Sequence, residues 1–122
     1  MHNVLIVDDD RITLELLQLI LEECVEGHII AASSGTEAID FVNANDLNHL
    51  SLIICDWNMP ENDGLEVLKA LRKKNRQLPF LMVTGNPTRQ LVISARKAGA
   101  TDFIAIPFKN YDLTEKVSNL LN

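Results

Sequence analysis

Short apolar runs that alternate with helical patterns constrain this chain more than any other feature. The runs cover residues 3–7, 28–32, 51–55, 80–83 and 103–106. Each is brief, continuous and rich in aliphatic side chains, as a strand buried on both faces must be. Between them lie stretches of helical spacing. Ile12, Leu16, Leu19 and Ile20, continuing to Glu23 and Cys24, follow that spacing after Asp10, a suitable N-cap. Ser34 caps a second helix carrying Ala38, Ile39, Phe41 and Val42, with Glu37 placed for a capping box. Leu65, Leu68 and Leu71 mark a third; Leu91, Ile93, Ala95 and Ala98 lie on a fourth that Gly99 stops. Residues 110–121 form the last, with Leu113, Val117, Leu120 and Leu121 on one face. Five strand–helix repeats with short connections predict a parallel sheet covered by helices on both sides, a doubly wound α/β domain.

Length and composition agree with a single domain. The chain has 122 residues, 47 % hydrophobic and only 5 % aromatic, so the core is expected to be aliphatic. A formal charge of −6 argues against direct nucleic-acid binding, since no basic stripe exists to displace counterions from a polyanion. The basic cluster Arg72-Lys73-Lys74 with Arg76 falls where a helix should end and reads as a complement to that helix C-terminus, with a partner contact as the alternative. Cys24 and Cys55 lack CxxC spacing and are expected to be buried, reduced thiols. Met1 leads directly into a strand with no leader pattern, and no apolar run approaches the roughly 20 residues of a membrane span, so a cytoplasmic protein is expected. His2, His28 and His49 share no metal-like spacing.

Chemistry concentrates at the strand ends. The first run stops in Asp8-Asp9-Asp10 and the third in Asp56-Trp57-Asn58-Met59-Pro60. In an open parallel sheet these ends share one crevice, where the winding direction reverses. Three carboxylates, Asp8, Asp9 and Asp56, repel one another unless a hard cation neutralises them, and oxygen donors of this kind suit Mg2+. Thr84 and Gly85, after the fourth run, offer a hydroxyl and an amide to phosphoryl oxygens. Together these groups predict a phosphoryl-accepting carboxylate site with Asp56 as nucleophile. Trp57 is expected to be a partly exposed loop aromatic beside it.

These motifs, in this order, resemble the receiver domain of response regulators. The resemblance rests on Val7-Asp8-Asp9, Asp56 to Pro60 followed by Asp63-Gly64, Val83-Thr84-Gly85, Ala98-Gly99-Ala100 and Pro107-Phe108. It spans residues 1–122 and extends to the single-domain chemotaxis regulators. It implies a flavodoxin-like (βα)5 fold with strand order 2-1-3-4-5. It also implies phosphorylation of Asp56 by a sensor histidine kinase or histidine phosphotransfer protein. Magnesium would be held by Asp9, Asp56 and the Asn58 carbonyl, with Asp8 acting through water. Thr84 would be the catalytic and switch hydroxyl, and Phe103 the switch aromatic reporting to an output partner at helix 4, strand 5 and helix 5. Asn58 and Asn86 occupy positions that tune access of the hydrolytic water.

One position departs from the family. Where receivers carry a lysine before the proline after strand five, this sequence reads Ala105-Ile106-Pro107. Three carboxylates plus Mg2+ leave a formal −1, and the phosphorylated site about −2, with no lysine to offset either. Phosphorylation is therefore expected to be possible but weakly transmitted. A pseudo-receiver, an interaction module working without phosphorylation, is the second reading. Asn58, which stands where a turnover phosphatase needs a second aspartate, argues against that class together with the short chain and missing cap, so the chain is not expected to be an enzyme. No output segment follows the last helix, so the expectation is a stand-alone regulator or a receiver from a longer protein.

Overall fold

Strand pairing follows from the apolar runs almost residue for residue. The computed structural model describes residues 2–122. In it β1 (Asn3–Val7), β2 (Ile29–Ala32), β3 (Leu50–Asp56), β4 (Phe80–Thr84) and β5 (Asp102–Ala105) form one parallel sheet in the order β2-β1-β3-β4-β5. The helices α1 (Arg11–Cys24), α2 (Gly35–Ala44), α3 (Gly64–Lys74), α4 (Arg89–Ala98) and α5 (Asn110–Leu121) connect and cover it. A 3-10 turn, Leu47–His49, precedes β3 and was not foreshadowed by the pattern. This is the doubly wound, flavodoxin-like (βα)5 architecture expected.

Side chains alternate across the sheet, and each face has its own core. Val4, Ile6, Leu52, Ile54, Leu81 and Val83 pack under α1 and α5, while Leu5, Val7, Ile53, Cys55, Phe80 and Met82 pack under α2, α3 and α4. Capping is local and polar. Asp10 accepts from the Ile12 N–H, and Ser34 from the Glu37 N–H. The second half of the capping box shifts by one residue, because the Glu37 carboxylate takes the N–H and hydroxyl of Ser33. Gly99 ends α4 in the left-handed conformation, φ 108°, which favours glycine.

Three expectations need correction. Of the expected stripe only Ile20 faces the core: Ile12, Leu16 and Leu19 are 77 %, 45 % and 63 % exposed, and α1 buries Leu17 and Leu21 beside Ile20. This helix is apolar on most sides, so a stripe rotated by about one residue competes equally well on spacing alone. Ile93 lies two residues from both Leu91 and Ala95, on the opposite side of α4, and is exposed. Cys24, at the last turn of α1, is exposed, whereas Cys55 is buried as expected.

The basic cluster complements the end of its own helix, as read, and also serves the neighbouring helices. Arg72 donates from Nε and Nη2 to the Gly99 carbonyl at the end of α4, and from Nη1 to Asn75 O. Lys74 Nζ donates to Val42 O and Asn45 O at the end of α2, both at 2.7 Å. Thus two cations of α3 satisfy the free carbonyls of its neighbouring helices and tie the layer together.

Candidate functional site

Register brings the acidic strand ends together. Val7 pairs with Cys55, so Asp8 and Asp56 leave adjacent strands side by side, and Thr84 ends the next strand along, where Val83 pairs with Asp56. Carboxylate oxygens of Asp8, Asp9 and Asp56 all lie within 4.8 Å of one another. This crevice lies beyond the carboxyl edge of the sheet, where the winding reverses between β1 and β3.

Each side chain is held by its own backbone. Asp8 is buried, and its Oδ1 accepts the Asp10 N–H at 2.8 Å. Asp56 Oδ1 accepts the N–H of Asn58 at 3.3 Å. Thr84 is fully buried and its Oγ1 accepts the Asn86 N–H at 3.1 Å, so both residues named at the end of β4 are drawn into one turn. Asp9 and Asn58 are exposed at the rim. Trp57, expected to be partly exposed, is only 5 % exposed and belongs to the core under α3. Gly64 makes room for it: a Cβ there would sit 2.8 Å from Trp57 Cε3 and from the Asp56 carbonyl oxygen.

The electrostatics follow from burial and crowding. Burial, with the Asp9 and Asp10 charges, raises the Asp8 carboxyl to about 6 against the pull of the Asp10 N–H. Burial first, then the Asp8 charge, raises Asp56 to about 7. Among the described residues no lysine, arginine or histidine forms an ion pair with these three acids. Ile106 stands just after β5, its N–H bonded to Thr84 O at 2.8 Å, and brings no charge. Lys109 is the exposed N-cap of α5 and pairs with no carboxylate there. A crowded, half-desolvated carboxylate set without a cationic partner fits a hard divalent cation, with Asp8, Asp9 and Asp56 as oxygen donors.

Comparison with known proteins agrees with this geometry. A family model described as the response regulator receiver domain matches residues 4–118. The chain belongs to that family. A chemotaxis protein CheY homolog from Campylobacter jejuni is 35 % identical over 120 residues, covering 97 % of this chain and 91 % of that protein. Among solved structures, a response regulator receiver domain protein from Clostridium thermocellum matches with a TM-score of 0.90 at 26 % identity, over all of this chain and 95 % of that one. Chemotaxis protein CheY4 of Vibrio cholerae matches with a TM-score of 0.89 at 27 % identity, over 99 % of both chains.

Phe103, the other residue singled out in this receiver, lies on β5 away from the carboxylates. Its partly buried ring packs against the α2–α3–α4 core, and Lys116 Nζ of α5 stands 5.9 Å from the ring centroid. Lys116 is itself held at 3.1 Å by Asp102, which also approaches Arg96 of α4 at 4.0 Å. The sequence reading missed this cluster. Its members are far apart along the chain, and only the packing of α4 and α5 on β5 unites them. Among the described residues no helix is long and apolar enough to cross a membrane.

Proposed function

We propose that this receiver accepts a phosphoryl group on Asp56 within a two-component phosphorelay. The observation that carries the reading is the convergence of Asp8, Asp9 and Asp56 at the carboxyl edge of β1 and β3, with the Thr84 hydroxyl at the end of β4. A carboxylate oxygen of Asp56 attacks phosphorus on a phosphohistidine, the N–P bond breaks, and the imidazole leaves and takes a proton from solvent. The Thr84 hydroxyl would donate its hydrogen to a phosphoryl oxygen.

Asp9, Asp56 and the Asn58 carbonyl would hold Mg2+, with Asp8 acting through a bound water. That ion would supply positive charge to offset the carboxylates and the incoming phosphoryl group. The donor is a sensor histidine kinase or a histidine phosphotransfer protein. The exposed stripe Ile12, Leu16 and Leu19 begins two residues after the Asp10 cap and offers such a donor an apolar surface beside the nucleophile. Output passes through the face made by α4, β5 and α5, with Phe103 as its reporter. The chain acts as a phosphoryl acceptor in the cytoplasm, without turnover chemistry of its own and without contacting nucleic acid or membrane.

Ile106 favours a second reading, a pseudo-receiver whose partners bind regardless of phosphorylation. Incubation with acetyl phosphate and Mg2+, followed by intact-mass measurement, separates the two. One hydroxylamine-labile phosphoryl group, lost in Asp56→Asn, supports the acceptor. An unchanged mass, under conditions that modify an ordinary receiver, supports the pseudo-receiver.

A further inference from the structure

The basic end of α3 holds more cations than the fold uses. Arg72 and Lys74 are committed to the carbonyls of α4 and α2, and the Asn75 N–H bonds Leu71 O to finish α3 itself. Lys73 and Arg76 have no hydrogen-bond or carboxylate partner among the described residues, and Lys69 has only a loose contact, 3.8 Å, with exposed Glu66. Lys69 and Lys73 lie one turn apart on α3, Arg76 follows just past its Asn75 cap, and all three line one groove of about 840 Å³. Its floor is apolar and recessed, made by Ile39 of α2, Ala70 of α3 and Ala98 of α4. Each helix runs back antiparallel to its strand, so this groove lies toward the amino edge of the sheet, away from Asp8, Asp9 and Asp56.

We propose that this groove is a docking surface for an acidic amphipathic segment of a partner protein, distinct from the phosphoryl site and from the α4–β5–α5 face. The argument is charge complementarity. Uncommitted Lys73 and Arg76, Lys69 with its loose Glu66 contact, and clamped Arg72 line the groove beside that one carboxylate, in a chain whose net charge is −6. Repulsion from the rest of the acidic surface is screened beyond about 8 Å at physiological salt, so the local cations govern a partner once it is in contact. A short segment with a few carboxylates gains from them. A long polyanion such as nucleic acid would span the surrounding acidic surface and be repelled. An anionic bilayer needs apolar side chains that protrude, whereas Ile39, Ala70 and Ala98 are half-buried. Alternating acidic and apolar contacts match the cationic rim and apolar floor.

The test is a backbone-amide NMR titration at about 0.15 M salt with a synthetic amphipathic peptide of glutamate and leucine. Saturable shifts centred on Ile39, Asn43, Ala70 and Ala98 are expected, unchanged by Asp56→Asn, so that loss of the phosphoryl reading leaves this one standing. Lys73→Gln with Arg76→Gln should weaken binding about ten-fold or more, because charge-assisted contacts contribute most of the affinity. The melting temperature should stay near that of the wild type, since neither side chain ties helices together. A version with leucine replaced by serine should bind at least several-fold more weakly. The proposal is overturned if no saturable shift appears in the groove, or if the double variant binds the peptide as tightly as the wild type. Tighter binding of ATP, or of vesicles containing phosphatidylserine, through the same residues would also overturn it.

Discussion

Removing divalent cations should make this receiver less stable at neutral pH than at mildly acidic pH, the reverse of an ordinary salt-bridged carboxylate. The unfolded carboxyl groups release their protons near 3.8, whereas folded Asp8 holds its proton to about 6 and folded Asp56 to about 7. Between those limits the folded state binds more protons than the unfolded one. Stability therefore falls as pH rises, and the full penalty is present above the folded values. From about pH 5 upward, Asp8 contributes roughly one pH unit and Asp56 roughly two, an upper limit of about 4 kcal/mol. Their mutual repulsion enters both shifts and Asp56 is only partly buried, so about half survives, near 2 kcal/mol. For a domain of this size that is a fall of about 6–10 °C in melting temperature.

Thermal unfolding in EDTA at about pH 5 and pH 8 measures this directly. Asp56→Asn should abolish most of the difference by stabilising the pH 8 state, and millimolar Mg2+ should shrink it in the wild type by supplying the missing charge. A melting temperature that is flat or rising from pH 5 to 8 in EDTA would refute the account. So would an Asp56→Asn variant that keeps the wild-type slope, because the crowding of Asp56 against Asp8 would then not be the cause.

Other consequences are more local. Ile106→Lys should introduce the cation that the site lacks, flatten the same pH slope and enlarge phosphorylation-dependent chemical shifts around Phe103; unchanged slope and shifts would show that Ile106 is no lesion. Gly64→Ala should lower the urea midpoint by an amount equivalent to about 2 kcal/mol, since the new Cβ meets Trp57 Cα and the Asp56 carbonyl at 2.8 Å. Asp102→Asn weakens the hold on Lys116 and Arg96, both partly exposed, so stability should change by no more than about 1 kcal/mol, read as a small shift in melting temperature. The aromatic resonances of Phe103 should nevertheless move, because Lys116 no longer has a fixed place over the ring.

Which features could be read from the sequence depends on how far apart their causes lie along the chain. A strand buried on both faces carries its signal within itself, so β1, β3 and β4 appear as unbroken apolar runs, and the carboxylates that terminate β1 and β3 come along with them. Strand ends in a parallel sheet must meet, which is why Asp8, Asp9 and Asp56 could be assembled from chain order and fold class. Their donor set then constrains the chemistry without further tertiary detail. Helix α1 lacks this property. Apolar residues surround it, so which stripe is buried is settled by the packing of α5 and the sheet, not by its own spacing. Trp57 is a sharper case, because its burial depends on Gly64 seven positions later leaving space at the start of α3. Arg72 and Lys74 look like caps for their own helix alone until α2 and α4 are placed beside them; Arg72 does serve Asn75 O, but it and Lys74 also hold carbonyls of the neighbours. The same distinction separates Lys73 and Arg76 from the rest of the basic run. Identical side-chain chemistry in adjacent positions divides into structural clamps and uncommitted charge only once the helix layer is formed, and the uncommitted pair is what remains for a partner to use.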